Sequence, residues 1–304
     1  MYQRDRHSCG REGKRGFSGL VGLIAFFSKP RVWVATVFLA ITLVAIIIGD
    51  WALAIFLTVL IYQGTKEYVS FVKAKGLNPS LNLILTIDFL LIFFAYLQNY
   101  DFLPLIVTFG VITAFITIMA RGKAATTNDL ATTVLGFLYG GWLPVHIMLL
   151  RNLEKTGVDL FGISAREGLG YIVLIFFIIS ASDIAAYYIG KNFGRTPLWP
   201  EISPKKTIKG SIGGTTGGVI ASLIIGHLIG LGLFHSIVAG LLLSIVAQLG
   251  DLAESMLKRD AGVKDSGNIL PGHGGVLDRA DSYIFTGAVA YYYFSLFVIG
   301  NITL

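Results

Sequence analysis

From about residue 32 onward, apolar segments of nearly bilayer-spanning length follow one another so closely that the chain has little room for water-facing surface. They fall at about 32–48, 51–63, 81–99, 102–120, 129–150, 168–189, 213–233, 234–250 and 283–303. A spanning helix needs roughly 20 predominantly apolar residues, and hydrocarbon satisfies no exposed backbone N–H or C=O, so segments of this kind must close their own hydrogen bonds as helices. The breaks at Gly49-Asp50, Tyr100-Asp101 and Phe234-His235 are tight enough that each must be a turn between antiparallel neighbours. Only 14% of the residues are charged, against roughly 25% in soluble domains. The expectation is therefore an all-α, polytopic membrane bundle of about nine transmembrane helices over residues 32–304, preceded by a basic, Gly-rich tail at 1–31. That tail reads either as a cytosolic tail with an interfacial stretch from Gly19 to Phe27 or as the remnant of an organellar transit peptide. The single Cys9 excludes an intrachain disulfide and a Cys-based zinc cluster.

Orientation follows from the cations. Counted over the tail and every second loop thereafter, 21 of the 24 Lys and Arg fall on one side, and only Arg151, Lys155 and Arg166 on the other. By the positive-inside rule the N-terminus is cytosolic and the C-terminus lies across the membrane. The net charge of +6 is then mostly topology and calls for no nucleic acid.

Two cytosolic loops, 190–212 and 251–282, are longer and more polar than hairpins require, and long loops in compact bundles are usually functional or disordered. In the second, Asp251, Glu254, Ser255 and Lys258 recur at helical spacing and share one face. Asp278 and Asp281 are likewise one turn apart at the start of the last apolar segment. Carboxylates from two adjoining helix ends, separated by a Gly-rich turn, suit a hard divalent cation such as Mg²⁺. Around them stand Lys258, Arg259, Lys264 and Arg279, with Lys205, Lys206 and Lys209 in the other loop. Cations beside carboxylates are what a site for a metal-bound polyphosphate needs. His273 reads equally as a phosphate donor or a turn stabiliser, while Gly272, Gly274 and Gly275 permit close backbone approach. Asp183, Asp88 and His146 are ionisable residues at membrane depth and hence functional candidates. The Gly213-Gly214 and Gly217-Gly218 pairs read as helix packing.

The stretch "SMLKRDAGVKDSGNILPGHGGVLDRAD" resembles the signature of the phosphatidate cytidylyltransferases, with Ser255, Lys258-Arg259, Lys264-Asp265, Pro271, His273-Gly274-Gly275, Asp278-Arg279 and Asp281 in unbroken spacing. "GDLAES", "SDIAAYYIGKNFGR" and "SPKKT" are similar to family elements too, so the likeness covers at least residues 180–282. One stretch departs: Ile208-Lys209-Gly210 stands where the family commonly has Trp-Glu-Gly. The resemblance implies transfer of a cytidylyl group from CTP to phosphatidic acid, giving CDP-diacylglycerol and pyrophosphate for phospholipid biosynthesis. It implies Mg²⁺, with room for a second cation, and a homodimer in a bacterial plasma membrane or an organellar one, its site facing the cytosol. On that reading Asp251, Asp278 and Asp281 hold the metal and, with Lys258 and Lys264, form the catalytic set. Ser203, Lys205, Lys206, Ser255, Arg259, His273, Gly274, Gly275 and Arg279 hold the substrates. Two alternatives remain from the residues alone: another lipid-directed transferase, such as a polyprenol kinase or a CDP-archaeol synthase, and a transporter built around Asp88, Asp183 and His146.

Overall fold

A computed structural model describes residues 30–153, 158–160, 163–165, 167–267, 269 and 274–300. Among these the chain forms nine helical rods, each overlapping one of the nine apolar segments. They are α1 (Pro30–Ile48), α2 (Asp50–Ala74), α3 (Leu81–Tyr96) and α4 (Phe102–Met119), then a rod in which α5 (Thr127–Phe137) and α6 (Leu143–Arg151) are joined by a π-helical turn (Leu138–Trp142). The remainder are α7 (Glu167–Phe193), α8 (Ile208–Leu228), α9 (Leu233–Asp260) and α10 (Leu277–Tyr293), which runs into a π-helical turn at Phe294–Ile299. Six rods are long and apolar enough to cross a membrane: those of α4, α5–α6, α7, α8, α9 and α10. The chain is thus a polytopic, helical integral membrane protein.

The polar stretches are more ordered than their composition suggests. Beyond residue 63 α2 continues to Ala74, because Tyr68, Val69, Phe71 and Val72 give its polar half a buried apolar face. The loop expected at 190–212 contains an antiparallel ribbon of β1 (Pro197–Trp199) and β2 (Ser203–Thr207). Pro197 is tolerated there because a two-stranded ribbon leaves an edge on which an N–H is dispensable. Helix α8 begins at Ile208, five residues earlier than expected, since the Thr207 side chain caps it by accepting from the Gly210 N–H at 3.1 Å. A second short ribbon pairs Val158–Leu160 with Ile163–Ala165, so among the described residues the fold is all-α but for two ribbons. Within 251–282, α9 runs on to Asp260 and α10 starts at Leu277.

The glycine pairs of α8 do pack helices. A Cβ at Gly217 would lie 2.7 Å from that of Ala185 on α7, one at Gly218 2.7 Å from that of Ser244 on α9, and one at Gly240 2.7 Å from the Val219 Cα. Lipid supplies no hydrophobic drive between helices, so small residues that let backbones meet carry the association. Beside the start of α2, the buried Arg151 donates from Nε to the Ile46 carbonyl at 3.0 Å and from its guanidinium to Ile47 at 3.3 Å, binding carbonyls that the end of α1 leaves open. The turn that follows needs Gly49, whose φ is +70° and whose Cβ position is filled by that guanidinium.

Candidate active site

Helices α9 and α10 converge at one end of the bundle, and Lys258 joins them. Its Nζ donates to Glu254 Oε2 one turn earlier on α9 at 2.9 Å and to Asp278 Oδ1 in the first turn of α10 at 2.5 Å. Lys258 is 8% exposed and Glu254 fully buried, so the ammonium charge is matched by carboxylates with little help from water. A buried pair of this kind contributes less to stability than its Coulomb energy suggests, because desolvation opposes it, but losing one partner is costly.

The other Asp278 oxygen is equally occupied. Oδ2 accepts from the Ser266 N–H at 2.9 Å, the Ser266 hydroxyl at 3.0 Å and the Gly275 N–H at 2.8 Å. The loop can wrap the carboxylate this closely only because it carries glycine. Gly274 has φ +84°, and a Cβ there would sit 2.5 Å from Oδ2; Gly275 presents its N–H where a Cβ would collide with Ser266 Oγ and the Glu67 carboxylate. In this structure the two glycines expected at a substrate phosphate are packed on Asp278 and Glu67.

Glu67 comes from α2, some two hundred residues away in the chain, and is 4% exposed. Its Oε1 accepts from the Val276 N–H at 3.0 Å and its Oε2 from the Leu277 N–H at 3.0 Å, with the Ser266 hydroxyl 2.9 Å from Oε2 as an alternative to its bond with Asp278. These backbone donors lie at the start of α10, where a helix leaves N–H groups without intrahelical partners. Nothing about this residue stood out in the sequence, because the polar run around it reads as a loop; the helical recurrence of Ile61, Thr65, Tyr68 and Val72 was the signal that it lies on a buried helix.

Asp251, on the same face of α9, forms an ion pair with Lys206, delivered by β2, and receives the Ser255 hydroxyl on Oδ1 at 3.5 Å. Asp281, on α10, accepts from the Ser282 N–H at 2.6 Å. The helices nearly touch here, since a Cβ at Gly250 would lie 2.7 Å from the Asp281 carbonyl oxygen. Asp251 and Asp281 are electrostatic neighbours, and Asp251 also acts on Asp183 of α7, so this third acid belongs to the same region. Tyr139, in the π-helical turn, is 4% exposed. Its hydroxyl lies within electrostatic range of Glu254, Asp281, Asp251 and Asp278 and has no hydrogen-bond partner among the described residues. It is a second residue of the site that the sequence left unmarked, and π-turns recur at functional sites.

The remaining residues lie around this core. Lys205, Arg259 and Lys264 are exposed and Ser203 is half-buried, while Arg259 donates to the Val263 carbonyl at 3.1 Å. His273 lies outside the described residues. Asp88 and His146 have other engagements: Asp88 accepts from the Thr65 hydroxyl at 2.7 Å, and His146 contacts the Trp142 carbonyl at 2.7 Å and the Tyr292 hydroxyl at 3.2 Å.

For a hard cation the donor set fits in part. Among the described residues no three His, Cys, Asp or Glu are arranged to hold a metal ion. Asp278, with both oxygens taken, does not fit without displacing Lys258 or the loop. Asp281, and Asp251 if it releases Lys206, have the right chemistry, and Glu254 Oε1 beside them is buried with no hydrogen-bond partner among the described residues; a buried carboxylate oxygen left in that condition invites a cation.

On the opposite face of the same first turns of α10 lies an apolar cavity of about 280 Å³. Val276, Leu277, Arg279, Ala280 and Tyr283 line one wall, and Phe38 and Ile46 of α1, Leu60 and Ile61 of α2, Ile147 of α6 and Ile175 of α7 line the others. Apart from Thr42 and Arg279 its side chains are almost wholly apolar. Helix α10 therefore turns Asp278 and Asp281 towards the charged cluster and Arg279 towards a greasy chamber.

Residues 29–297 match the model of the cytidylyltransferase family. The chain is 37% identical over 291 residues to a phosphatidate cytidylyltransferase of Synechocystis sp., covering 86% of this chain and 95% of that one. It is 34% identical over 266 residues to a phosphatidate cytidylyltransferase of Staphylococcus aureus, with 84% and 95% covered. To the chloroplastic phosphatidate cytidylyltransferase 4 of Arabidopsis thaliana it is 35% identical over 269 residues, with 81% and 68% covered.

Proposed function

This chain belongs to the cytidylyltransferase family, and from that premise we infer that it is a membrane-embedded nucleotidyltransferase that moves the cytidylyl group of CTP onto phosphatidic acid. A phosphate oxygen of phosphatidic acid attacks the α-phosphorus of CTP, the bond to the β-phosphate bridging oxygen breaks, and pyrophosphate leaves with that electron pair as CDP-diacylglycerol forms. The attacking phosphate is already largely ionised near neutral pH, so positioning and charge stabilisation, not a strong base, are what the protein must supply.

The observation that carries this reading is the two-faced start of α10, with a charged cluster on one side and an apolar cavity on the other. A lipid phosphate needs both. An acyl chain occupies the cavity, Arg279 at its wall meets the lipid phosphate, and Lys258, Arg259, Lys264, Lys205 and Lys206 neutralise the phosphates of CTP. Ser203, Ser255 and His273 are placed with them as further donors, and Gly274 and Gly275 shape the loop. Mg²⁺ would be held by Asp251 and Asp281, where it would withdraw charge from phosphate oxygens. Asp278 is assigned to fixing Lys258.

The test is pyrophosphate release by the detergent-solubilised protein. We expect it only with CTP, phosphatidic acid and Mg²⁺ together, and not with glycerol 3-phosphate, which has the phosphate but no chain to fill the cavity. Release with a polyprenol in place of phosphatidic acid would overturn the assignment.

All nine rods are read as crossing the membrane, with the N-terminus and the charged cluster on the cytosolic side and two copies assembled. The charge count supports the orientation, and the resemblance alone supports the pair. Cys9 is the chain's only cysteine, so a membrane-impermeant maleimide is expected to label the native protein in inverted vesicles and not in right-side-out ones. The reverse pattern would invert the topology.

A further inference from the structure

We propose that Glu67 is a positioning residue for the transfer, holding the start of α10 and the Ser266 hydroxyl so that Asp278 keeps Lys258 aimed at the reacting phosphates; this rests on the function read above. The geometry forms one continuous chain. The Glu67 carboxylate accepts from the Val276 and Leu277 N–H groups at 3.0 Å each and lies 2.9 Å from Ser266 Oγ. Ser266 Oγ lies 3.0 Å from Asp278 Oδ2, and Asp278 Oδ1 receives Lys258 at 2.5 Å. Every group in this relay is buried or nearly so, which makes each hydrogen bond stronger and each missing partner costlier than in water.

Ser266 has one hydroxyl proton and two carboxylates within reach. It can donate to only one at a time, so the placement of Glu67 bears directly on how Asp278 is satisfied. The fit is also close: a Cβ at Gly267 would lie 2.9 Å from Glu67 Oε1 and one at Gly275 2.6 Å from Glu67 Cδ and closer still to Oε2, so the loop is moulded on this side chain. The α10 start is thereby clamped to α2, an element that reaches the cluster through no other residue described above.

Glu67→Gln keeps the volume and removes one acceptor. Val276 and Leu277 donate to different oxygens, so whichever way the amide turns, one of these N–H groups meets an NH₂. We expect kcat to fall about 10- to 100-fold, the range for loss of a supporting hydrogen bond or a displacement of about 1 Å at a reacting group, with KM for CTP far less changed. Amide exchange should accelerate over 264–280 and stay at the parent rate in α8. Because part of the effect passes through the Ser266 hydroxyl, Glu67→Gln combined with Ser266→Ala should cost less than the sum of the two single losses.

Parent-like kcat in Glu67→Gln, or strictly additive losses in the double variant, would overturn the proposal. So would a lowered unfolding midpoint with kcat per folded molecule unchanged, since that is a merely structural role. Should the parent itself make no CDP-diacylglycerol, the functional reading fails, and the exchange experiment still shows whether Glu67 anchors the loop.

Discussion

In the Asp278→Asn variant, turnover is expected to fall about 10²- to 10³-fold, the range seen when one preorganised charge-stabilising group is removed from a site. The asparagine oxygen can accept from Ser266 and Gly275, but its NH₂ then points at Lys258, which the parent carboxylate receives at 2.5 Å. Lys258 keeps Glu254 at 2.9 Å and swings towards it, away from the line of the reacting phosphates. Stability should fall as well. Breaking a buried ion pair by removing one partner costs about 3–5 kcal/mol, and the surviving Glu254 makes that a ceiling here. Steady-state kinetics together with unfolding in detergent separate the two effects. Near-parent kcat from a less stable protein would reduce the Lys258–Asp278 pair to a clip between α9 and α10.

For Asp281→Asn the second effect reverses sign. Asp281 is largely desolvated and repelled by Asp251, and together these outweigh the Ser282 N–H, the Glu254 side chain and the charge of Lys258 on the other side of the balance, so removing its charge relieves desolvation and repulsion. Without Mg²⁺ the variant should be at least as stable as the parent. What it should lose is the response to Mg²⁺: a cation at 100 times its Kd stabilises a folded protein by about 2.7 kcal/mol, and that increment should largely vanish together with turnover. The Mg²⁺-induced shift in unfolding midpoint is readable with no substrate present. Asp278→Asn should retain more of this shift, because its parent carboxylate is already committed to Lys258, Ser266 and Gly275. An undiminished Mg²⁺ shift in Asp281→Asn would remove the metal from this pair of helices.

The residues read from the signature, Lys258, Asp278, Asp281 and Asp251, do gather at the end of α9 and the start of α10. They were legible because helical spacing places Asp251, Glu254, Ser255 and Lys258 on one face, and because charge in a greasy chain is conspicuous. Glu67 and Tyr139 were not. Each is a single polar residue in a stretch whose local pattern has another explanation, a loop in one instance and a core aromatic in the other. The division of labour between Asp278 and Asp281 was equally hidden, since two aspartates one turn apart look alike until their partners are known.

The sequence by itself determined that this chain is a polytopic bundle of apolar helices and roughly where along the chain each one falls. Transfer of an apolar segment into lipid is favourable segment by segment, and a segment's hydropathy and its flanking cations are local quantities. Only the tertiary structure decided that Asp278 is spent on Lys258, that Glu67 of α2 holds the start of α10, and that the same turns of α10 face a charged cluster and an apolar cavity. Those outcomes depend on which donor meets which acceptor inside a low-dielectric interior, where a buried polar group must find a partner, and the partner is chosen by the packing of helices far apart in the chain.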